Sequence, residues 1–152
     1  MTSGQPFDQN LANQIAQGAI RSQNDFVMEG YPKRKYEVEF FKAIAGSPDL
    51  VVVLNAQEAL LYSRCQKRLI CSQCEHTFSG DVKSLCPHCG ATSNRRPEDS
   101  DEALVKRLIE YSIQAQEAIP ELNKIALRFL EIATDTLAPE DILARIKQEL
   151  NS

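Results

Sequence analysis

Apolar positions recur at four-residue spacing from Leu11 through Ile15 to Ala19, and Ala12, Ala16 and Ile20 form a second row. This spacing predicts a turn and then a helix over Gln5 to Ile20, capped by Asp8 and buried along a broad face. A polar loop follows at 21–25. Phe26-Val27-Met28 is a short apolar run that stops at Glu29-Gly30-Tyr31-Pro32, which predicts a buried strand ending in a turn. Tyr36, Phe40, Phe41 and Ile44 give an amphipathic helix from Tyr36 to Ala45, ended by Gly46 and Pro48. Asp49 to Leu54 is rich in β-branched residues without polar alternation, the pattern of a strand buried on both faces of a parallel sheet. Strand, helix and strand make one βαβ unit with a right-handed crossover.

Asn55, with Glu58 three residues on, predicts the start of the next helix, whose packed side carries Leu60, Leu61 and Cys65. Arg64 and Arg68 are four apart and fall on one stripe of that helix, with no acid between them. Two such arginines repel each other unless an anion bridges them. Further on, Asp99 with Glu102 predicts the cap of a long helix lined by Leu104, Leu108, Tyr111 and Ala115. Arg107 borders that face, either snorkelling or serving a ligand or ion pair. Pro120 breaks the pattern, Glu121 to Phe129 continues helical, and Leu130 to Ala133 reads as a last short strand. Pro139 suits a first helical position, with Glu140 and Asp141 in the first turn and Ile142, Ile146 and Leu150 along the apolar stripe.

Composition changes this picture in two places. The chain has 152 residues, enough for one domain with a small insertion, and a net charge of −4. That balance argues against broad nucleic-acid binding, which wants a basic footprint. Positive charge is local instead, with Arg64, Arg68, Arg95, Arg96 and Arg107 around a cysteine-rich stretch. The opening residues have no basic-then-apolar leader pattern, and the longest clean apolar run, Leu50 to Leu54, is far short of a membrane span. The sequence therefore reads as cytoplasmic, without a membrane partner.

Four of the five cysteines form two C-x-x-C knuckles, Cys71/Cys74 and Cys86/Cys89, with eleven residues, 75–85, between them. Four thiols at this spacing suit structural zinc, and a closed four-ligand set leaves no position for a substrate. The competing reading is four free thiols. His76 and His88 are alternative ligands. Gly90 follows the second knuckle, where a positive φ is often needed. Cys65 is left over, a small buried hydrophobe or a reactive thiol. Lys33-Arg34-Lys35 is either a solvated run or a phosphate contact, and Glu29 either a loop acid or a residue at a strand-end site.

The order of motifs (strand, E-G-Y-P-K, helix, D-L-V-V-V-L-N, helix, R-x-x-x-R, C-x-x-C, C-x-x-C-G, R-R-P-E-D, V-K-R-L-I-E-Y) resembles the adenylate kinases over nearly the whole chain. In particular it is similar to the bacterial type whose lid carries structural zinc. The resemblance implies an α/β fold, a three-layer α/β/α nucleoside monophosphate kinase of the P-loop kinase-like kind, with a small zinc-ribbon lid. It implies a division into residues 1–25, the remainder of the monophosphate-binding region; 26–68 and 94–152, an α/β core; and 69–93, the lid. It implies reversible phosphoryl transfer from MgATP to AMP or another nucleoside monophosphate. Arg68, Arg96 and Arg107 are then catalytic, and Arg64, Arg68, Thr77 and Phe78 hold ATP. Gln5, Pro6, Phe7, Gly30, Lys33, Glu37, Arg96 and Arg107 hold the monophosphate, Glu29 contacts a Mg²⁺-bound water, and Cys71, Cys74, Cys86 and Cys89 hold zinc. Phosphoryl transfer is mostly positioning and charge stabilisation, which suits such an arginine set.

Three departures stand beside the resemblance. The segment between the knuckles is short. Glu29, Lys33 and Glu37 replace an aspartate, an arginine and a glutamine of the family pattern, and a lysine makes no bidentate fork. No glycine begins a G-x-x-x-x-G-K phosphate loop. The expectation is a parallel sheet missing its first strand, which belongs between Phe26–Glu29 and Asp49–Leu54. Three cases stay open: a truncated form whose upstream segment holds that element, a split protein completed by a second chain, or a degenerate relative that binds nucleotide without efficient catalysis. A zinc-ribbon module binding protein or nucleic acid is the alternative function.

Overall fold

The computed structural model describes residues 9–22 and 25–152. In order, the elements are α1 (Gln9–Arg21), α2 (Lys35–Ala45), β1 (Val51–Asn55), α3 (Glu58–Gln66), β2 (Arg68–Cys71), β3 (Thr77–Ser79), β4 (Ser93–Arg95), a 3₁₀ turn (Pro97–Asp99), α4 (Asp101–Ile125), β5 (Phe129–Ala133) and α5 (Pro139–Leu150). The chain divides into two compact units: Met1–Val53 with Ile113–Glu131 and Arg145–Ser152, and Leu54–Ser112 with Ile132–Ala144.

In the first unit α1 packs on α2. Ala16, Ile20, Val38, Phe41 and Ala118 are buried there. Of the two rows expected on α1, Ala12, Ala16 and Ile20 turn inward, whereas Leu11, Ile15 and Ala19 are exposed, so the buried face is narrower than the pattern predicts; on α2 Phe41 is buried, Phe40 and Ile44 are half-buried and Tyr36 is exposed. Gly46 closes α2 at φ +80°, its amide donating to the Lys42 carbonyl at 3.0 Å. Only glycine adopts that turn without strain. The cap expected at Asp8 lies outside the described residues.

Phe26–Glu29 is not a strand. Val27 is 99% exposed, and Phe26 is 40% exposed and meets the Phe41 ring edge-on, ring centroids 6.4 Å apart. A strand needs a partner for its amides and carbonyls, and the parallel ladder among the described residues holds only β1 and β5. The same cause corrects β1. It runs from Val51 to Asn55, and it is not buried on both faces: Val53 alone is fully buried, and Leu54 is 49% exposed. The β1 and β5 strands run in the same direction. At their start Val51 N donates to Arg128 O (3.0 Å), and at their end Thr134 N donates to Asn55 O (2.8 Å).

Asn55 therefore ends a strand instead of opening a helix. The start of α3 is at Glu58, and the Gln57 amide before it is held by the Asp135 carboxylate at 2.9 Å. Arg68 is not on α3 either; the helix ends at Gln66, and Arg68 begins β2. Leu60, Leu61 and Cys65 are half-buried. At the head of α4 the capping residue is Ser100, not Asp99: Ser100 Oγ accepts from Ala103 N at 3.4 Å. Pro120 does not break α4. Proline deprives the carbonyl four residues earlier of its bond, and both Pro120 and Gln116 are exposed, on the side of the helix where such a loss costs least. The helix then stops at Ile125, short of Phe129. β5 and α5 stand where the pattern placed them, with Pro139 at the first helical position.

In the second unit β2 is the centre of a three-stranded antiparallel sheet, order β3–β2–β4, with Leu69 opposite Phe78 on one side and Arg95 on the other. Leu69 is 1% exposed and forms the lobe's apolar centre with Cys71 and Cys86.

Candidate functional site

The four knuckle cysteines converge. Their Sγ atoms all lie within 4.8 Å of one another, with Cys71–Cys89 at 3.4 Å and Cys74–Cys86 at 3.7 Å. Tetrahedral zinc with bonds of about 2.3 Å puts sulfurs roughly 3.8 Å apart, so the donor set and its spacing fit zinc. Each knuckle closes the same way. Glu75 N donates to Cys71 O (3.2 Å) and Gly90 N to Cys86 O (2.9 Å), with φ +58° at Glu75 and +74° at Gly90. Backbone amides face the sulfurs. Gln73 N and Cys74 N lie 3.4 Å from Cys71 Sγ, and His88 N lies 3.4 Å from Cys86 Sγ. The amides of Cys74 and Gln73 pull the Cys71 thiol down to about 6, whereas, against the His76 amide, burial and the neighbouring sulfurs push Cys74 up to about 12, and Cys89 is raised as well; without a cation the crowded sulfurs do not all ionise. His76 and His88 stand outside the four-sulfur set, stacked on each other at 5.8 Å, and Phe78 stacks on His76 at 6.1 Å. Thr77 is exposed beside it.

Gly90 allows a direct check of knuckle geometry. A Cβ there meets nothing within 4 Å, so Gly90→Ala carries only the backbone cost of a positive φ. We expect a loss of about 1 kcal/mol in lobe stability, read by urea unfolding of the zinc-loaded chain; no loss would contradict the closed-knuckle conformation.

The arginines gather at the neck where the lobe's chain enters and leaves. Asp99, 0% exposed, is the centre. Arg68 grips it with both edges of one face, Nε to Oδ2 at 2.7 Å and Nη2 to Oδ1 at 2.5 Å. Arg107 Nη1 reaches Asp99 Oδ1 at 3.3 Å and the Glu98 carbonyl at 3.4 Å. Arg95 Nη2 donates to the Asp99 carbonyl at 3.1 Å and to Gln66 Oε1 at 2.6 Å, and Gln66 in turn bonds Asp101. The hydrogen bond from Arg68, then the charges of Arg68, Arg107 and Arg96, hold the Asp99 carboxyl below its ordinary value against the opposing effect of burial. Arg68 is raised in turn, first by its bond to Asp99. Arg64 is elsewhere engaged, its Nη2 donating to the Thr134 carbonyl at 3.3 Å.

Arg68 and Arg107 thus meet at Asp99, where the charge of Arg96 also acts; the arginine pattern in the sequence gave this cluster no acid. The missing member was Asp99, whose signal was its place just after Arg95-Arg96 and before a helix. Four arginines (68, 95, 96, 107) against Glu98, Asp99 and Asp101 leave one net positive charge in the network, which favours a polyanion.

Of the expected monophosphate residues, Gly30, Lys33 and Glu37 belong to the first unit, and Arg96 and Arg107 to the second. Glu29 and Lys33 are exposed, and Gly30 takes φ +76°. Glu37 is buried, and its carboxylate is used within its own turn: Oε2 accepts from Lys33 N at 2.6 Å and Arg34 N at 3.1 Å, and Oε1 from Tyr36 Oη at 3.3 Å. Tyr31 Oη donates to Asn13 Oδ1 at 2.8 Å, and burial followed by the Glu37 charge pushes the phenol up to about 12. Gln5, Pro6 and Phe7 lie outside the described residues. Among the described residues no helix is long and apolar enough to cross a membrane.

A parallel strand pair with helices, together with a four-thiol lobe on an arginine-lined neck, fits the P-loop kinase-like α/β class. No protein-family model matches the chain. It is 26% identical to the adenylate kinase of Halobacterium salinarum over 73% of this chain and 53% of that protein. It is 24% identical to that of Mycoplasma capricolum over 99% and 75%, and 28% identical to that of Zymomonas mobilis over 65% and 49%. The chain is thus similar in sequence to several adenylate kinases, and it spans about half the length of the first of these relatives.

Proposed function

We propose that this chain binds MgATP at the arginine cluster and serves an adenylate-kinase-type phosphoryl transfer, reversible between MgATP and AMP or a related nucleoside monophosphate. The observation that carries the reading is the grip of Arg68 and Arg107 on the buried Asp99 carboxylate at the neck of the four-thiol lobe, with Arg95 on the carbonyl of the same residue and the charge of Arg96 acting on the carboxylate. Residues 69–93 are the lid, stapled by zinc on Cys71, Cys74, Cys86 and Cys89. Residues 26–68 and 94–152 are the core, and 1–25 the remainder of the monophosphate region. The zinc supplies shape and no chemistry, because its four ligands leave no open position.

In this reading Arg64 and Arg68 hold the triphosphate, with Thr77 and Phe78 beside the nucleotide. Arg96 and Arg107 stabilise charge on the transferred group, the largest contribution a site without covalent chemistry makes. Magnesium, bound with ATP, neutralises phosphate charge. Gly30 and Lys33 form the monophosphate turn, Gln5, Pro6 and Phe7 its base side, and Glu29 meets a Mg²⁺-bound water. Glu37 serves that turn from inside, by fixing the Lys33 and Arg34 amides. The setting is the cytoplasm.

Calorimetry of MgATP against the zinc-loaded chain tests this. Arg96 acts on Asp99 through space, and a hydrogen bond to a charged group contributes about 1.5–3 kcal/mol. Arg96→Ala is therefore expected to weaken MgATP binding at least about tenfold, and phosphotransfer in a coupled assay should fall with Arg107→Ala. Unchanged affinity and unchanged turnover would contradict the assignment.

A further inference from the structure

We infer that Asp99 is the positioning residue of the polyphosphate site, holding Arg68 and Arg107 in the orientation that receives an anion. This rests on the reading of the arginine cluster as that site. Asp99 is wholly buried, so it is not a ligand group itself. Its carboxylate takes two hydrogen bonds from one face of Arg68 and one from Arg107, side chains that come from β2 and α4. A bidentate carboxylate fixes the plane of a guanidinium as a single charge does not. Arg68 Nη1 and Arg107 Nη2 make none of these bonds and remain to meet a ligand. The turn that carries Asp99 is itself tied down: Arg95 holds the Asp99 carbonyl and Arg107 the Glu98 carbonyl. Gln66, bonded to both Arg95 and Asp101, closes the network across the neck.

A second role fits the same contacts with the opposite consequence. Asp99 would be a resident counter-ion that competes with the incoming anion for the two arginines. The two roles predict opposite signs. Deleting the negative charge of a counter-ion raises net positive charge and tightens anion binding. Deleting a positioning carboxylate loosens two arginines and weakens anion binding although the site becomes more positive.

The test is titration of inorganic tripolyphosphate into the zinc-loaded full chain, wild type against Asp99→Asn and Asp99→Glu. Positioning predicts binding at least about tenfold weaker in Asp99→Asn, the scale of one lost charged hydrogen bond. It also predicts weaker binding in Asp99→Glu, which keeps the charge and moves the carboxylate by one methylene. Equal or tighter binding in Asp99→Asn, or wild-type binding in Asp99→Glu, overturns the inference, and tighter binding in Asp99→Asn in addition establishes the counter-ion role. Should Asp99→Asn fail to fold, Asp99→Glu decides alone. Saturable wild-type binding with unaffected variants sinks this inference but leaves the site standing. Absence of wild-type binding overturns the polyphosphate reading and this inference with it.

Discussion

Removing the metal is expected to unfold the lobe from Arg68 to Arg95 while α1 and α2 stay folded. The lobe's strands are four, three and three residues long, and its buried apolar centre is Leu69 with two of the four cysteines. Segments this small do not bury enough surface to offset their conformational entropy. Zinc in a four-thiolate site contributes apparent folding free energy on the order of 10 kcal/mol or more at neutral pH. Withdrawing it leaves four thiols within 4.8 Å of one another, a crowding that thiolates without a cation do not tolerate. Chelator treatment and Cys86→Ser should therefore give the same result: loss of the single bound zinc, rapid protease cleavage between residues 72 and 92, and helical signal that persists. Lowering the pH works in the same direction, because each ligand must be deprotonated to bind. A lobe that resists protease after complete zinc loss would show that packing alone holds it.

The second large effect is expected at Arg68. Arg68→Ala removes the two strongest contacts of a carboxylate that has no access to water. Breaking a buried pair from one side costs about 3–5 kcal/mol, since the remaining charge stays desolvated. Arg107, 53% exposed at its side chain, cannot replace the bidentate grip. The sign with pH follows from the lowered Asp99 value. A carboxyl depressed below 3.8 contributes stability that is complete above 3.8 and is lost as acid carries the pH down through its folded value. The deficit of Arg68→Ala is thus fully present at neutral pH. Urea unfolding of the zinc-loaded chain, followed by a probe in the lobe, measures it. A change below about 1 kcal/mol would mean that Asp99 is held by its other neighbours.

What was legible in the sequence is what depends on near neighbours. A metal knuckle fixes residue type and spacing within four positions, so the four ligands and Gly90 could be read directly. The helix stop at Gly46 and the start at Pro139 are likewise local chemistry. The arginine cluster was half legible. Arg68, Arg96 and Arg107 announced themselves by charge, but the bond between Arg68 and Asp99 joins residues 31 apart. Asp99 also sits one place before Ser100, and either is a good cap by type, so its buried role was hidden by a plausible local one. Burial was the least legible property. The run Val51 to Leu54 is apolar throughout, yet it is half-exposed because β1 has one hydrogen-bonded neighbour. Phe26–Glu29 shows the same effect further on, where strand-like composition without a partner strand stays extended and open.

The most direct measurement is amide chemical-shift mapping of the zinc-loaded chain titrated with MgATP. The account predicts saturable shifts concentrated at 64–68 and 95–107, with weaker ones at Thr77 and Phe78, all lost in Arg96→Ala. Shifts that never saturate, or that cluster on α1 and α5 and ignore the arginine neck, would contradict it.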